Sequence, residues 1–280
     1  MSPSDKPADS HHLHLHILGS GSRGNCALIE GPEGLIMIDD GFSRREVLAR
    51  MHELDLSEDD VRALILTHEH SDHVKGVSVW CKRFAGELYA SKGTAGTRAY
   101  LDCLPFIEFM PGDVLTIAGV EVATFPTSHD VANPVGFRFS YAGDAIGYAT
   151  DTGILPPGAL RLLADARILA LESNHDVPML RTGSYPRMLQ DRIISERGHL
   201  SNAQAAEAAP QLVSDRTEQL IAMHISQENN RPSLAVRALA EALGATLDNE
   251  LGSSATLERG NGKPALRIRA AGQNRPISLR

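Results

Sequence analysis

The apolar run VRALILT, Val61 to Thr67, leads directly into His68-Glu69-His70-Ser71-Asp72-His73. Three imidazoles and a carboxylate of metal-ligating type therefore crowd the end of a buried strand. Neutral imidazole and carboxylate are the donors that divalent Zn, Mn or Fe take, and a turn lets alternate side chains converge where a helix or strand would not. His129 in PTSHD, Asp151 in YATDTG and His224 in AMHIS each stand at the C-terminal end of another apolar, strand-like run. His68, His70, Asp72, His73, His129, Asp151 and His224 are thus seven candidate ligands, enough for two metal ions, and a scaffold must bring these strand ends to one point.

The remaining pattern describes that scaffold. LHLHILG and CALIEGPEGLIMIDDG read as strands turning at GPEG, and SRREVLARMHELD reads as a helix. HVKGVSVWCKRFAG and KGTAGTRAYLDCL are expected to be helices around the strand ELYAS, and FIEFM is a further strand. DVLTIAGVEVATFPTSHD and VGFRFSYAGDAIGYATDTG read as hairpins, followed by helix PPGALRLLADA and strand RILALES. SYPRMLQDRIISERG is expected to be a helix capped by Ser184, and SNAQAAEAAPQLV, QLIAMHI and RPSLAVRALAEALG follow as helix, strand and helix, with two short strands around ERGNGK. Because hairpins and αβ units are mixed, an α/β (α+β) architecture with a two-layer sheet core and helices outside is favoured over a doubly wound parallel sheet. The expected division is a disordered lead, residues 1–12, and one domain, residues 13–280. In HHLHLH, alternation with Leu13 and Leu15 places the imidazoles on the solvated face of the first strand.

Composition narrows the partners. The net charge of −8 excludes a surface that grips polyanions everywhere, so any nucleic-acid contact is local. Three cysteines without C-x-x-C spacing argue against a disulfide framework and for a reducing cytoplasm. No apolar run reaches a membrane-span length, and MSPSDKPADS has no apolar signal region. Nothing in the residues reports oligomeric state.

His68, His70, Asp72 and His73, followed in order by His129, Asp151 and His224 and preceded by Asp39-Asp40-Gly41, resemble the HxHxDH and DxG motifs of the metallo-β-lactamase superfamily. That resemblance covers most of the chain. It implies an αββα sandwich of two mixed sheets packed face to face, one metal on His68, His70 and His129, a second on Asp72, His73 and His224, and Asp151 bridging them with a water. His70 stands where redox-active di-iron members carry Glu, which favours hydrolysis. With 72 residues between Asp151 and His224 there is no room for the inserted domain of the ribonuclease J branch, and no Gly/Pro-rich arm like that of tRNase Z is present. GSGSRGN, SHDVANPVGF, GYATDTG, LESNHD, GHLSN and SQENN are similar to the YycJ/WalJ-type branch, regarded as metal-dependent 5′ to 3′ DNA exonucleases.

The resemblance implies a binuclear phosphodiesterase acting on DNA ends through a metal-bridging hydroxide, with Asp72, Asp151 and His199 nearest the chemistry. His199 lies between Gly198 and the helix start at Ser201-Asn202, whose free N–H groups favour an anion. It is expected to donate a proton or touch phosphate; the alternative is a packed structural histidine. Asp39 is expected to hydrogen-bond the ligand loop. Candidate substrate contacts are Ser20, Ser22 and Asn25 in the Gly-rich loop, which lacks the GK[ST] of a P-loop but offers backbone N–H groups, then Asn174, His175, Ser201, Asn202, Asn229 and Asn230. Arg181, Arg187, Arg192 and Arg197 form a local basic stretch, either a phosphate track or a solvated helix face. A small-molecule phosphodiester, lactone or thioester hydrolase and a non-catalytic metal-stabilised nucleic-acid-binding or regulatory module remain alternatives.

Overall fold

Near-continuous apolar runs such as GLIMI, ILALE and QLIAM are buried on both faces, and two sheets result. The computed structural model describes residues 12–280, so the expected lead lies outside the described residues except for His12. The first sheet runs, in spatial order, Ile277–Leu279, His14–Gly19, Cys26–Gly31, Gly34–Ile38, Val61–Ile65, Glu87–Ser91 and Phe106–Phe109. The second runs Thr246–Leu247, Ser254–Leu257, Leu266–Ala270, Gln219–Met223, Ile168–Glu172, Asp144–Ala149, Val135–Tyr141, Val120–Pro126 and Val114–Ile117. Both are mixed: Gly34–Ile38 through Phe106–Phe109 are parallel, as are Asp144–Ala149 through Leu266–Ala270, with antiparallel strands outside them. Ile17, Ile36, Ile38, Ile65, Phe137, Phe139, Ile146, Tyr148 and Ile221 fill the layer between the sheets. Each fully buried side chain of this size contributes about 1.5–3 kcal/mol. Helices Asn202–Leu212 and Pro232–Leu243 cover the outer face of the second sheet through Ala205, Ala209, Val236 and Leu239, and helix Arg44–Glu53 covers the first through Val47 and Met51. This is the expected αββα arrangement.

Local departures have local causes. Lys75–Gly76 divides the expected helix after His73 into Ser71–Val74 and Val77–Trp80. KGTAGTRAYLDCL gives a 3-10 turn at Ala95–Thr97 and one turn at Ala99–Asp102, since Gly93 takes φ 89° and Arg98 is extended. Pro186, not Ser184, precedes helix Arg187–Ile194, and Asp176 caps an additional helix, Val177–Thr182, by accepting from the Met179 N–H. His16 is not solvated: the C-terminal strand Ile277–Leu279 pairs beside it and it is 1% exposed. No helix among the described residues is long and apolar enough to cross a membrane.

Candidate metal centre

The parallel strands deliver their carboxyl ends to one cleft, the place where open α/β sheets usually bind ligands. Asp39, His68, Asp151, Glu172 and His224 all sit at or just beyond such an end. Three of them, Asp39, Asp151 and His224, take left-handed backbone conformations, φ 57°, 54° and 52°. Each costs on the order of 1–3 kcal/mol that the surrounding contacts must offset, and each turns a side chain sharply off its strand.

The donors gather in two groups of three. His68, His70 and His129 have ligand atoms within 4.8 Å of one another, as do Asp72, His73 and His224, and His68, His73 and Asp151 link the two. Asp151 Oδ2 is 3.3 Å from His73 Nε2, while its Oδ1 is 3.3 Å from His224 Nδ1 and 3.8 Å from His129 Nε2. The imidazoles are oriented from behind. Thr67 Oγ1 donates to Asp39 Oδ2 (2.7 Å) and lies 3.0 Å from His68 Nδ1; Asp39 Oδ2 also accepts from His73 Nδ1 (2.8 Å). His129 Nδ1 donates to the Gly198 carbonyl (3.0 Å), and His224 Nδ1 to Glu172 Oε1 (3.0 Å). Each of these Nδ1 contacts leaves Nε2 for a ligand. His68 Nε2 and His224 Nε2 are buried without a hydrogen bond, a costly state unless something else coordinates them. The donor set therefore fits divalent metal.

Charge divides the two groups. Burial, with His73 adding to it, holds His68 well below the usual histidine range, and burial also lowers His70 and His129, so this trio is neutral and in ligand form. Burial works against the Asp72 and Asp151 carboxylates, but His73 and His224 outweigh it: Asp72 falls to about 2 and Asp151 lies well below the usual range. Conversely, burial would lower His224, but Asp151, Asp72 and Glu172 raise it to about 10, and His73 likewise rises. Protons occupy the second trio where a cation would, so metal binding there releases protons.

Among the expected substrate residues, Ser22 and Asn174 line the cleft, which has a volume of about 250 Å³. Ser20 Oγ accepts from the His224 N–H, and Asn25 Nδ2 lies 3.0 Å from His73 Nε2 and 3.2 Å from Asp72 Oδ2. Asn202, Asn230 and Ser173 satisfy one another, Asn174 Nδ2 donates to the His224 carbonyl, Ser201 caps helix Asn202–Leu212, and His175 and Asn229 are buried. Four N–H groups of the Gly-rich loop are bonded within the protein: Ser20 to Gly272, Gly21 to Asn25, Arg23 to Gln273 and Gly24 to Gly21. His199 lines the cleft with its side chain 20% exposed and donates Nδ1–H to Glu172 Oε1 at 2.8 Å. Arg192, Arg197, Tyr185, Leu189 and Ile193 form one cleft wall, with Arg192 paired to Asp130 at 2.6 Å; Arg181 instead pairs with Asp191, and Arg187 is exposed away from the cleft lining. Sequence reasoning did not single out Glu172; its signal is a carboxylate closing the apolar run RILALE.

Two mixed sheets, helices outside and a His/Asp centre at the strand ends define a metallo-hydrolase. Residues 35–225 match the β-lactamase superfamily domain, and the chain belongs to that superfamily. It is similar to a Bacillus anthracis protein named exodeoxyribonuclease YycJ, at 35% identity over 235 residues covering 82% of this chain and 89% of the relative. It is also similar to exodeoxyribonuclease WalJ of Streptococcus pneumoniae serotype 2, at 34% identity over 243 residues, 83% of this chain and 90% of that one. The metallo-β-lactamase fold protein YhfI of Bacillus subtilis shares the fold with a TM-score of 0.66 at 12% identity, covering 95% of this chain and 99% of that chain.

Proposed function

We propose that this enzyme is a binuclear metal-dependent phosphodiesterase that degrades DNA from 5′ ends; the names of its relatives support the exodeoxyribonuclease part of that reading. The observation that carries the reading is the convergence of seven donors into two trios joined at Asp151, beside a wall bearing Arg192, Arg197 and Tyr185. His68, His70 and His129 would hold one ion, Asp72, His73 and His224 the other, with Asp151 between them. Zn, Mn and Fe all suit this donor set, and bound together they supply a water of lowered pKa and neutralise phosphate charge. The protein's own residues do the rest. Arg192 and Arg197 hold phosphates flanking the scissile bond, and Tyr185 offers a face on which a base can stack. His199, its Nδ1–H fixed by Glu172, is free to carry a proton on Nε2 for the leaving oxygen. Glu172 steadies the charge that His199 gains by holding that proton. The three free cysteines suit a cytoplasmic setting.

The small cleft favours a second reading, a compact phosphodiester or ester substrate, because about 250 Å³ accommodates a nucleotide-sized group and little more. End-labelled duplex DNA and a matched RNA, incubated with metal-stripped protein resupplied with Mn²⁺, Zn²⁺ or Fe²⁺, separate the two. Stepwise 5′ loss by wild type and none by Asp72→Ala is expected. No cleavage of either polymer by protein holding two metals would transfer the assignment to the compact substrate.

A further inference from the structure

We propose that His14, His16 and Glu30 form a separate binding site for a borderline divalent cation such as Zn²⁺, on the outer face of the first sheet. Three strands build it. His14 and His16 point to the same side of strand His14–Gly19, because Leu15 between them enters the layer between the sheets. Glu30 is the cross-strand partner of His14, and Ser278 that of His16. The place is remote from the catalytic cleft: Cys26–Gly31 runs antiparallel to Gly34–Ile38, so Glu30 lies at the end of the sheet opposite Asp39. Glu30 Oε2 stands 3.1 Å from His14 Nδ1 and 3.1 Å from His16 Nε2, and the three donor atoms lie within 4.8 Å of one another. Donors in a tetrahedral zinc site, with metal–donor bonds of about 2.0–2.2 Å, are about 3.3 Å apart. His16 is buried, and its Nδ1 meets Ser278 Oγ at 2.7 Å, the outward hydrogen bond that orients a ligating imidazole. The two imidazoles hold the Glu30 carboxyl well below its usual range, so it is already ionised. As the cation enters, each neutral imidazole would carry its proton on the nitrogen turned away from Glu30, Nε2 of His14 and Nδ1 of His16. Glu30 and His14 side chains are 42% and 21% exposed, which leaves a fourth position open to water. Bound there, the ion ties the first two strands together and, through Ser278, the C-terminal strand.

The test uses the full chain stripped by chelator and titrated with Zn²⁺ against a chromophoric competitor. Wild type is expected to take up one equivalent more than His14→Gln or Glu30→Gln, both of which keep wild-type DNA degradation. Ser278→Ala should weaken that equivalent about 10–100-fold without abolishing it, and Asp151→Asn, with its catalytic centre impaired, should retain it. The readout is the difference between proteins, so it stands whatever number of ions the catalytic cleft holds. Equal stoichiometry in wild type and both Gln variants, with equal melting temperatures in chelator, would overturn the site.

Discussion

Glu172 is the residue whose replacement tests most of the catalytic geometry at once. It is fully buried and uses both oxygens: Oε1 accepts from His199 Nδ1 (2.8 Å) and His224 Nδ1 (3.0 Å), Oε2 from the Thr152 N–H (2.8 Å) and the Leu200 N–H (3.3 Å). Glu172→Gln preserves shape but supplies one acceptor and one NH₂. If the amide oxygen stays with the backbone donors, the NH₂ confronts two imidazole N–H groups. Those imidazoles must then lose their hydrogen bonds or move their protons to Nε2, the atom His224 would need for a ligand. If the amide turns over, two buried backbone N–H groups lose their acceptor instead. Two charge-assisted hydrogen bonds at about 1.5–3 kcal/mol each give about 3–6 kcal/mol, which corresponds to about 10²–10⁴ in rate if it falls on the transition state. The assay is turnover of 5′-labelled duplex at saturating metal, with metal content measured on the same protein. Turnover within threefold of wild type at full metal occupancy would refute the orienting role of Glu172.

Gly41→Ala should cost at least the 1–3 kcal/mol of ordinary overpacking, because its Cβ would fall 1.7 Å from the Asp72 carbonyl and 2.5 Å from the Asn25 amide; a lower urea midpoint and weaker metal retention are the expected signs. Arg192→Glu with Arg197→Glu should reduce kcat/KM on DNA and flatten its salt dependence by about 0.9 in log–log slope for each phosphate no longer neutralised, while a small chromogenic phosphodiester is turned over as before; an unchanged salt slope would remove these arginines from the substrate path. Burial, with the Asp39 charge adding to it, pushes Asp40 up to about 7 from a usual 3.8. A folded pKa above the unfolded one means that the favourable contribution is complete below about pH 4 and is lost as pH rises through 7, up to about 4 kcal/mol in all. Asp40→Asn should therefore flatten the loss of urea stability between pH 5 and 8 in chelator, and parallel profiles for the two proteins would contradict it.

What the sequence made legible, and what it did not, follows from the range of the contacts involved. The seven candidate ligands follow four apolar runs, four of them clustered after Val61 to Thr67 and one after each of the other three, so a donor at a strand end is visible from a few neighbours alone. Asp39 follows the strand Gly34–Ile38 in the same way, and it accepts hydrogen bonds from Thr67 and His73. Glu172 closes a run in the same way, but its meaning depends on parallel pairing that sets it against Met223 and so beside His224, a contact across 52 residues. His16 shows the limit from the other side: period-2 alternation sends it outward correctly, yet a strand 262 residues later covers it with Ser278. Asn202 and Asn230 look like substrate contacts because loop amides beside a ligand usually face solvent, but burial obliges them to bond, and each finds the other. The candidate ligands, and Asp39 with them, stand out by type and by position after a strand, whereas the place of Glu172 is defined only by tertiary contact. A change at Glu172 would thus leave every ligand motif intact and still be expected to disable the site.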